Sequence, residues 1–257
     1  MTRITFLGTG TSYGVPRIGC SCATCRSSDP RDRRFRSSII VESRAQRLLI
    51  DATPDLRSQL LANGISRLDA VAITHFHSDH VMGIDDLRAI TDAMPTPLPL
   101  VAPHAELQAL TAAFPHLFGP KRPIGMAANL ALRAWHSGES GEVAGFELQG
   151  WMLPHGRGFT MGYLVEGKVA YLTDISQIPD SVVDALTGVR VLILDMLREE
   201  AHPTHLNLER SLEYARRIGA EATWFIHMSH EVMHARVEAV LPPTFRLAFD
   251  GLTVDVD

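Results

Sequence analysis

The run from Thr74 to His80, THFHSDH, puts three imidazoles and a carboxylate into one short segment: His75, His77, Asp79 and His80. It follows the apolar stretch LDAVAIT, which reads as a strand, so a turn at its end can aim all four side chains at one point. Imidazole nitrogen and carboxylate oxygen are the ligands that zinc, manganese and iron share. Packed this densely without a cation, the four groups would compete for protons and lose hydration. A metal centre therefore explains the segment better than a polar surface turn does.

Further candidates sit at the ends of apolar stretches: His155 in LPHGRG, Asp174 in AYLTDIS and His227 in WFIHMSHEVMH. Alone, each would read as a capped or solvated residue; beside THFHSDH each becomes a possible ligand. His230, three residues on from His227, can face a different ion, whereas His234 reads as part of a solvated helix face. Cys20, Cys22 and Cys25 crowd into one stretch, and an odd number so tightly packed does not suggest a disulfide framework. In a reducing compartment a metal site is the better use for them. His202 and His205, in HPTHLNLERS, can supply a proton, although Thr204 or Asn207 could instead cap a helix there and leave His205 exposed. Arg31, Arg33, Arg34 and Arg36 read as a solvated loop, the alternative being charge for an anionic substrate. Gly156 and Gly158, around Arg157, either let backbone approach a ligand or serve a tight turn.

Short strands alternating with helices must carry these residues. Strands are expected in the first seven residues, in SSIIVES and in RLLIDA, then a helix from Leu56 to Gly64 and another from about Gly83 to Ala93. Residues 94–103 return as a loop and a strand. Further strands are expected near 130–135, 145–153, 161–166 and 168–173, a helix near 180–187, a strand at VRVLILD and a helix over 207–218. The strand TWFIH precedes a histidine-rich helix and terminal strands at 245–249 and 252–256. Two strand-rich halves, each followed by helices, predict an α/β architecture of two packed sheets with helices outside. With no linker or repeat in view, residues 1–257 read as one domain.

At 46% hydrophobic and 21% charged the chain has an ordinary globular composition. A net charge of −5 excludes a broad basic surface for nucleic acid, which would need many phosphate-pairing cations. There is no apolar run of about 18 residues to span a membrane. The opening MTRITFLGTGTSYG lacks a signal-peptide pattern, so a cytoplasmic location is expected.

THFHSDH followed in order by His155, Asp174 and His227 resembles the metallo-β-lactamase superfamily, over nearly the whole chain. That likeness implies a four-layer αββα sandwich. Within it, GTGTSYGVPRIGCSCATC and IHMSH are similar to the PhnP-like branch of cyclic-phosphate phosphodiesterases. The resemblance implies that His75, His77 and His155 hold one divalent ion (manganese or zinc), that Asp79, His80 and His227 hold a second, and that Asp174 bridges them. It places a structural zinc on Cys20, Cys22, Cys25 and His230, and His205 as general acid beside the substrate. Asp79 would act both as ligand and in orienting water. The implied function is hydrolysis of small phosphodiesters, cyclic ones included, by a hydroxide bridging two metals, in a homodimer. Alternatives of the same fold are a tRNA-processing nuclease, a thioesterase, a lactamase, or a non-catalytic accessory protein of cofactor biosynthesis.

Overall fold

The computed structural model describes residues 1–119 and 127–257. Strands β1 (Thr2–Gly8), β2 (Ser38–Ser43), β3 (Gln46–Ile50), β4 (Ala70–Ala72), β5 (Leu98–Pro103) and β6 (Leu130–Trp135) build a first sheet. A second sheet holds β7 (Ser140–Val143), β8 (Phe146–His155), β9 (Gly158–Val165), β10 (Val169–Leu172), β11 (Val191–Asp195), β12 (Ala222–Ile226) and β13 (Phe245–Leu247). The last strand, β14 (Thr253–Val256), returns to pair antiparallel with β1. Helices α1 (Leu56–Ala62), α2 (Ser78–Val81), α3 (Arg88–Thr91), α4 (Leu107–Ala113) and α5 (Pro115–Phe118) lie in the first half. Helices α6 (Asp180–Ala185), α7 (Leu208–Ile218) and α8 (His234–Glu238) follow in the second.

Period-two alternation decides which face of each strand meets which layer. Ile4, Phe6, Ile39 and Val41 join Tyr163, Tyr171 and Ile193 in a core between the sheets. Their neighbours Leu7, Ile40 and Leu49 point the other way, against Leu56 and Leu60 of α1. On the far side, Leu192 and Leu194 of β11 pack with Val182 and Val183 of α6 and with Tyr214 and Ile218 of α7. The parallel strand β11 is thus apolar on both faces, as a strand covered on both sides must be. Helix, sheet, sheet, helix is the four-layer αββα arrangement expected.

Elements depart from expectation where tertiary contacts override local pattern. The helix expected over 83–93 is a 3-10 turn at Ile84–Leu87 followed by the single turn α3. Gly83 donates its N–H to Ala52 O, and a Cβ there would stand 1.8 Å from Thr53 O, so this backbone is clamped to the end of β3. Helices α4 and α5 and the polar edge strand β7 carry too weak a periodicity to be foreseen. Among the described residues no helix is long and apolar enough to cross a membrane.

The surface reading is overturned for Arg34 and for His234, whereas Arg33 is exposed as expected. Arg34 is not in a solvated loop: its side chain is fully buried, pairs with Asp32 at 3.2 Å and donates to Ser229 O at 3.1 Å. Arg31 and Arg36 pair with Asp29 and Asp55, so these cations are spent on folding the loop rather than on a substrate. His234 does not lie on a solvated helix face; it is 2% exposed and its backbone N–H donates to Asp32 at 2.8 Å.

Burial, with Arg31 and Arg34 nearby, pushes the His234 pKa down to about 4 from the ordinary 6.5. Between those values the unfolded chain takes up a proton that the folded one refuses, so stability falls as pH drops through this window. His234→Gln removes that term. Urea unfolding from pH 7 to 4.5 should cost the wild type about 1–3 kcal/mol more than the variant, and parallel curves would contradict the assignment.

Candidate metal centre

Parallel strands ending side by side deliver the residues just beyond them to one edge, where α/β folds place their ligands. Here β10, β11 and β12 are parallel neighbours, and Asp174, Asp195 and His227 lie at or just past their ends. On the facing sheet, the chain leaves β4 through Thr74 and His75 into α2, whose single turn buries Asp79 and His80 and leaves Ser78 exposed. His155 is the last residue of β8. Asp51, Asp174 and His227 have φ of 68°, 56° and 61°, left-handed conformations that cost about 1–3 kcal/mol when a bulky residue adopts them.

The seven expected ligands converge. Ligand atoms of His75, His77 and His155 lie within 4.8 Å of one another, as do those of Asp79, His80, Asp174 and His227. Asp174 joins the sets: its Oδ2 is 3.2 Å from His80 Nε2, and its Oδ1 is 3.2 Å from His227 Nε2 and 3.9 Å from His155 Nε2. His80 Nε2 is also 3.3 Å from Asp79 Oδ2.

A cation fits this donor set. The buried Nε2 atoms of His75, His80 and His227 have no hydrogen-bond partner. The opposite ring nitrogens of His75 and His80 are anchored, whereas His227 Nδ1 has no hydrogen-bond partner and stands 3.5 Å from Asp195 Oδ1. His80 Nδ1 meets Asp51 Oδ2 at 2.7 Å, His75 Nδ1 meets Thr74 Oγ1 at 3.0 Å, and His155 Nδ1 donates to Thr204 O at 3.1 Å. Rings fixed on one nitrogen and open on the other are how histidine presents itself to a metal. Burial disfavours charge on His80, but Asp174, Asp51 and Asp79 together hold its pKa well above the ordinary value. Burial and the neighbouring His80 push His75 well below it.

Cys20, Cys22, Cys25 and His230 also gather, with ligand atoms within 4.8 Å and no disulfide among the thiols. His230 Nδ1 stands 3.4 Å from both Cys20 Sγ and Cys22 Sγ. The His230 contact lowers the Cys22 thiol to about 6, whereas burial raises Cys25 to about 11. One nitrogen and three sulfurs suit a tetrahedral zinc shell.

A cavity of about 580 Å³ opens over the histidines and is lined also by Phe76, Arg157, Phe159 and His205. His205 Nδ1 meets Asp195 Oδ2 at 3.2 Å, so its other nitrogen is left for the cavity. Burial opposes the His205 cation, but Asp195 outweighs it and lifts the pKa to about 9. Asn207 caps α7 by accepting from Arg210 N, so the cap and His205 occupy separate places. His202 lies outside the main cavity, with its ring 5.2 Å from that of His205. Gly156 turns with φ of 57°, where a Cβ would approach Thr204 Cγ2 at 2.7 Å.

Sequence reasoning missed Asp51 and Asp195. Both end an apolar strand, in RLLIDA and VLILD, which is the same signal that marked Asp174. Asp51 accepts from Thr74 N and Oγ1 as well as holding His80. Asp51→Asn should therefore weaken divalent-metal binding by about 10- to 100-fold in a chelator competition assay, and unchanged affinity would remove Asp51 from the site.

A family model described as a β-lactamase superfamily domain matches residues 46–228. A crystal structure of a diphosphatase from the PhnP family superposes with a TM-score of 0.92 at 38% identity, covering 100% of this chain and 98% of that one. An octanoyltransferase of Porphyromonas gingivalis is 36% identical over 99% of this chain but 52% of its own length, so the chain spans about half of that protein. A coenzyme PQQ synthesis protein B of Methylorubrum populi is 37% identical over 100 residues, 34% of this chain and 33% of that protein. Fold, site geometry and these matches together place the chain in the metallo-β-lactamase superfamily, in its PhnP family.

Proposed function

We propose that this protein is a metal-dependent phosphodiesterase that adds water across a P–O bond of small phosphodiesters, cyclic ones included. The observation that carries this is the pair of adjoining ligand sets with open Nε2 atoms, sharing one cavity with the Asp195–His205 pair. His75, His77 and His155 would hold one divalent ion, manganese or zinc, and Asp79, His80 and His227 the other, with Asp174 between them. Two such ions, when bound, lower the pKa of a water to about 7 and neutralise phosphoryl oxygens. Cys20, Cys22, Cys25 and His230 would hold a structural zinc. The PhnP resemblance adds a homodimer.

The chain's own groups do the rest. Asp79, whose carboxylate is kept ionised by His80 and His227 despite burial, orients the attacking water. As the P–O bond to the leaving group breaks, its electron pair stays on that oxygen, which takes the Nε2 proton of His205. Asp195 keeps the other ring proton on Nδ1 and fixes the plane of the imidazole. A poor alkoxide leaving group needs such a donor. The diphosphatase neighbour supports phosphorus chemistry, and the net charge of −5 favours a small substrate over tRNA.

The test is turnover of bis(p-nitrophenyl) phosphate, a 2′,3′-cyclic nucleotide, a nucleoside diphosphate diester, octanoyl thioester and a β-lactam, each with manganese or zinc. Phosphodiesters should be cleaved, and His205→Asn should lower kcat on the cyclic nucleotide by about 10²–10⁴-fold with KM little changed. Faster cleavage of the thioester or lactam would overturn the proposal.

A further inference from the structure

Against the main cavity lies a second one of about 310 Å³, and the two share Ser12 and His205. His205 is thus a common wall. The second cavity is lined also by Tyr13, Arg17, Arg198 and His202, and by His230 of the cysteine set.

The two arginines differ in how they are held. Arg198 is fully engaged, pairing with Glu231 at 3.2 Å and donating to Glu200 O and Ala201 O. It shapes the wall but its charge is neutralised. Arg17 has its guanidinium 4.5 Å from the centre of the Tyr13 ring, and no ion pair is formed by it with a carboxylate among the described residues. Stacking fixes the plane of a guanidinium and leaves its N–H edge free, the geometry that takes a phosphate. Its backbone is fixed too: Arg17 N donates to Cys25 Sγ at 3.4 Å, and Arg17 O accepts from Cys20 N at 3.0 Å.

We propose that this second cavity receives the leaving group, and that Arg17 selects leaving groups carrying a phosphate of their own. The proposal rests on the phosphodiesterase assignment in one respect: the oxygen that takes the His205 proton departs on the side His205 faces. It goes beyond that assignment in giving the departing half of the substrate a charge. Tyr13, 63% exposed, is the platform that holds the cation in place.

The experiment uses the metal-loaded protein and three variants, Arg17→Gln, Tyr13→Leu and the conservative Tyr13→Phe. Diadenosine diphosphate, which releases a phosphate-bearing group, is compared with bis(p-nitrophenyl) phosphate, whose nitrophenol leaving group carries no phosphate. Arg17→Gln should lower kcat/KM on the first by about 10- to 100-fold, chiefly through KM, and on the second by less than about threefold. Tyr13→Leu should act likewise and Tyr13→Phe should not. Independently of turnover, calorimetry with glycerol 3-phosphate should show binding that Arg17→Gln weakens by about tenfold or more, and glycerol should not bind. Equal losses on both substrates, or none on either, would overturn the proposal, as would glycerol 3-phosphate affinity unchanged in Arg17→Gln. If the wild type cleaves neither diester, the phosphodiesterase assignment fails instead, and the calorimetric comparison still decides the subsite.

Discussion

Buried imidazole nitrogens that no protein atom satisfies are the constraint on which this structure turns. A buried polar atom left unpaired costs about 1–3 kcal/mol, and the Nε2 atoms of His75, His80 and His227 are in that state at one place. Imperfect packing is a poor explanation, because the Nδ1 atoms of His75 and His80 are hydrogen-bonded within the protein. Left-handed backbone at Asp51, Asp174 and His227 adds strain at the same edge. Divalent cations would offset the unpaired nitrogens by supplying partners for them, and would neutralise the carboxylates of Asp79 and Asp174.

The segment from His227 to His230 is where the two candidate metal sites meet, and the N-terminal loop is tied to it several times. Thr11 N donates to Met228 O, Met228 N donates to Thr9 O, and buried Arg34 holds Ser229 O. A zinc on the cysteine loop and His230 would add a cross-link of large free energy to these bonds. The position of His227 thus depends on residues far away in sequence that ligate nothing, Arg34 and Asp32 among them. The same loop carries Tyr13 and Arg17 to the cavity wall.

Much of this was legible in the sequence because the signals were local. THFHSDH announces its own density of ligands, and the apolar runs before Asp174 and His227 placed both at strand ends, where they are found. Period-two alternation gave the sheets, and the two-halves pattern gave the layers. What stayed hidden depends on contacts made at a distance. Arg34 and His234 look like surface residues until Asp32 and the folded loop bury them. Asp51 and Asp195 are single acids whose role appears only when His80 and His205 arrive beside them. The single-turn helix α3 replaces a longer one because Gly83 is clamped to β3, which no local pattern records.

The most direct measurement of the central claim is anomalous diffraction from crystals of the protein grown with manganese or zinc. Two ions about 3.5–4 Å apart should appear between the ring of His155 and that of His227, each in contact with Asp174, with a third ion, zinc, among Cys20, Cys22, Cys25 and His230. Density for no ion, or for a single ion that leaves His80 and His227 without a metal contact, would contradict the account.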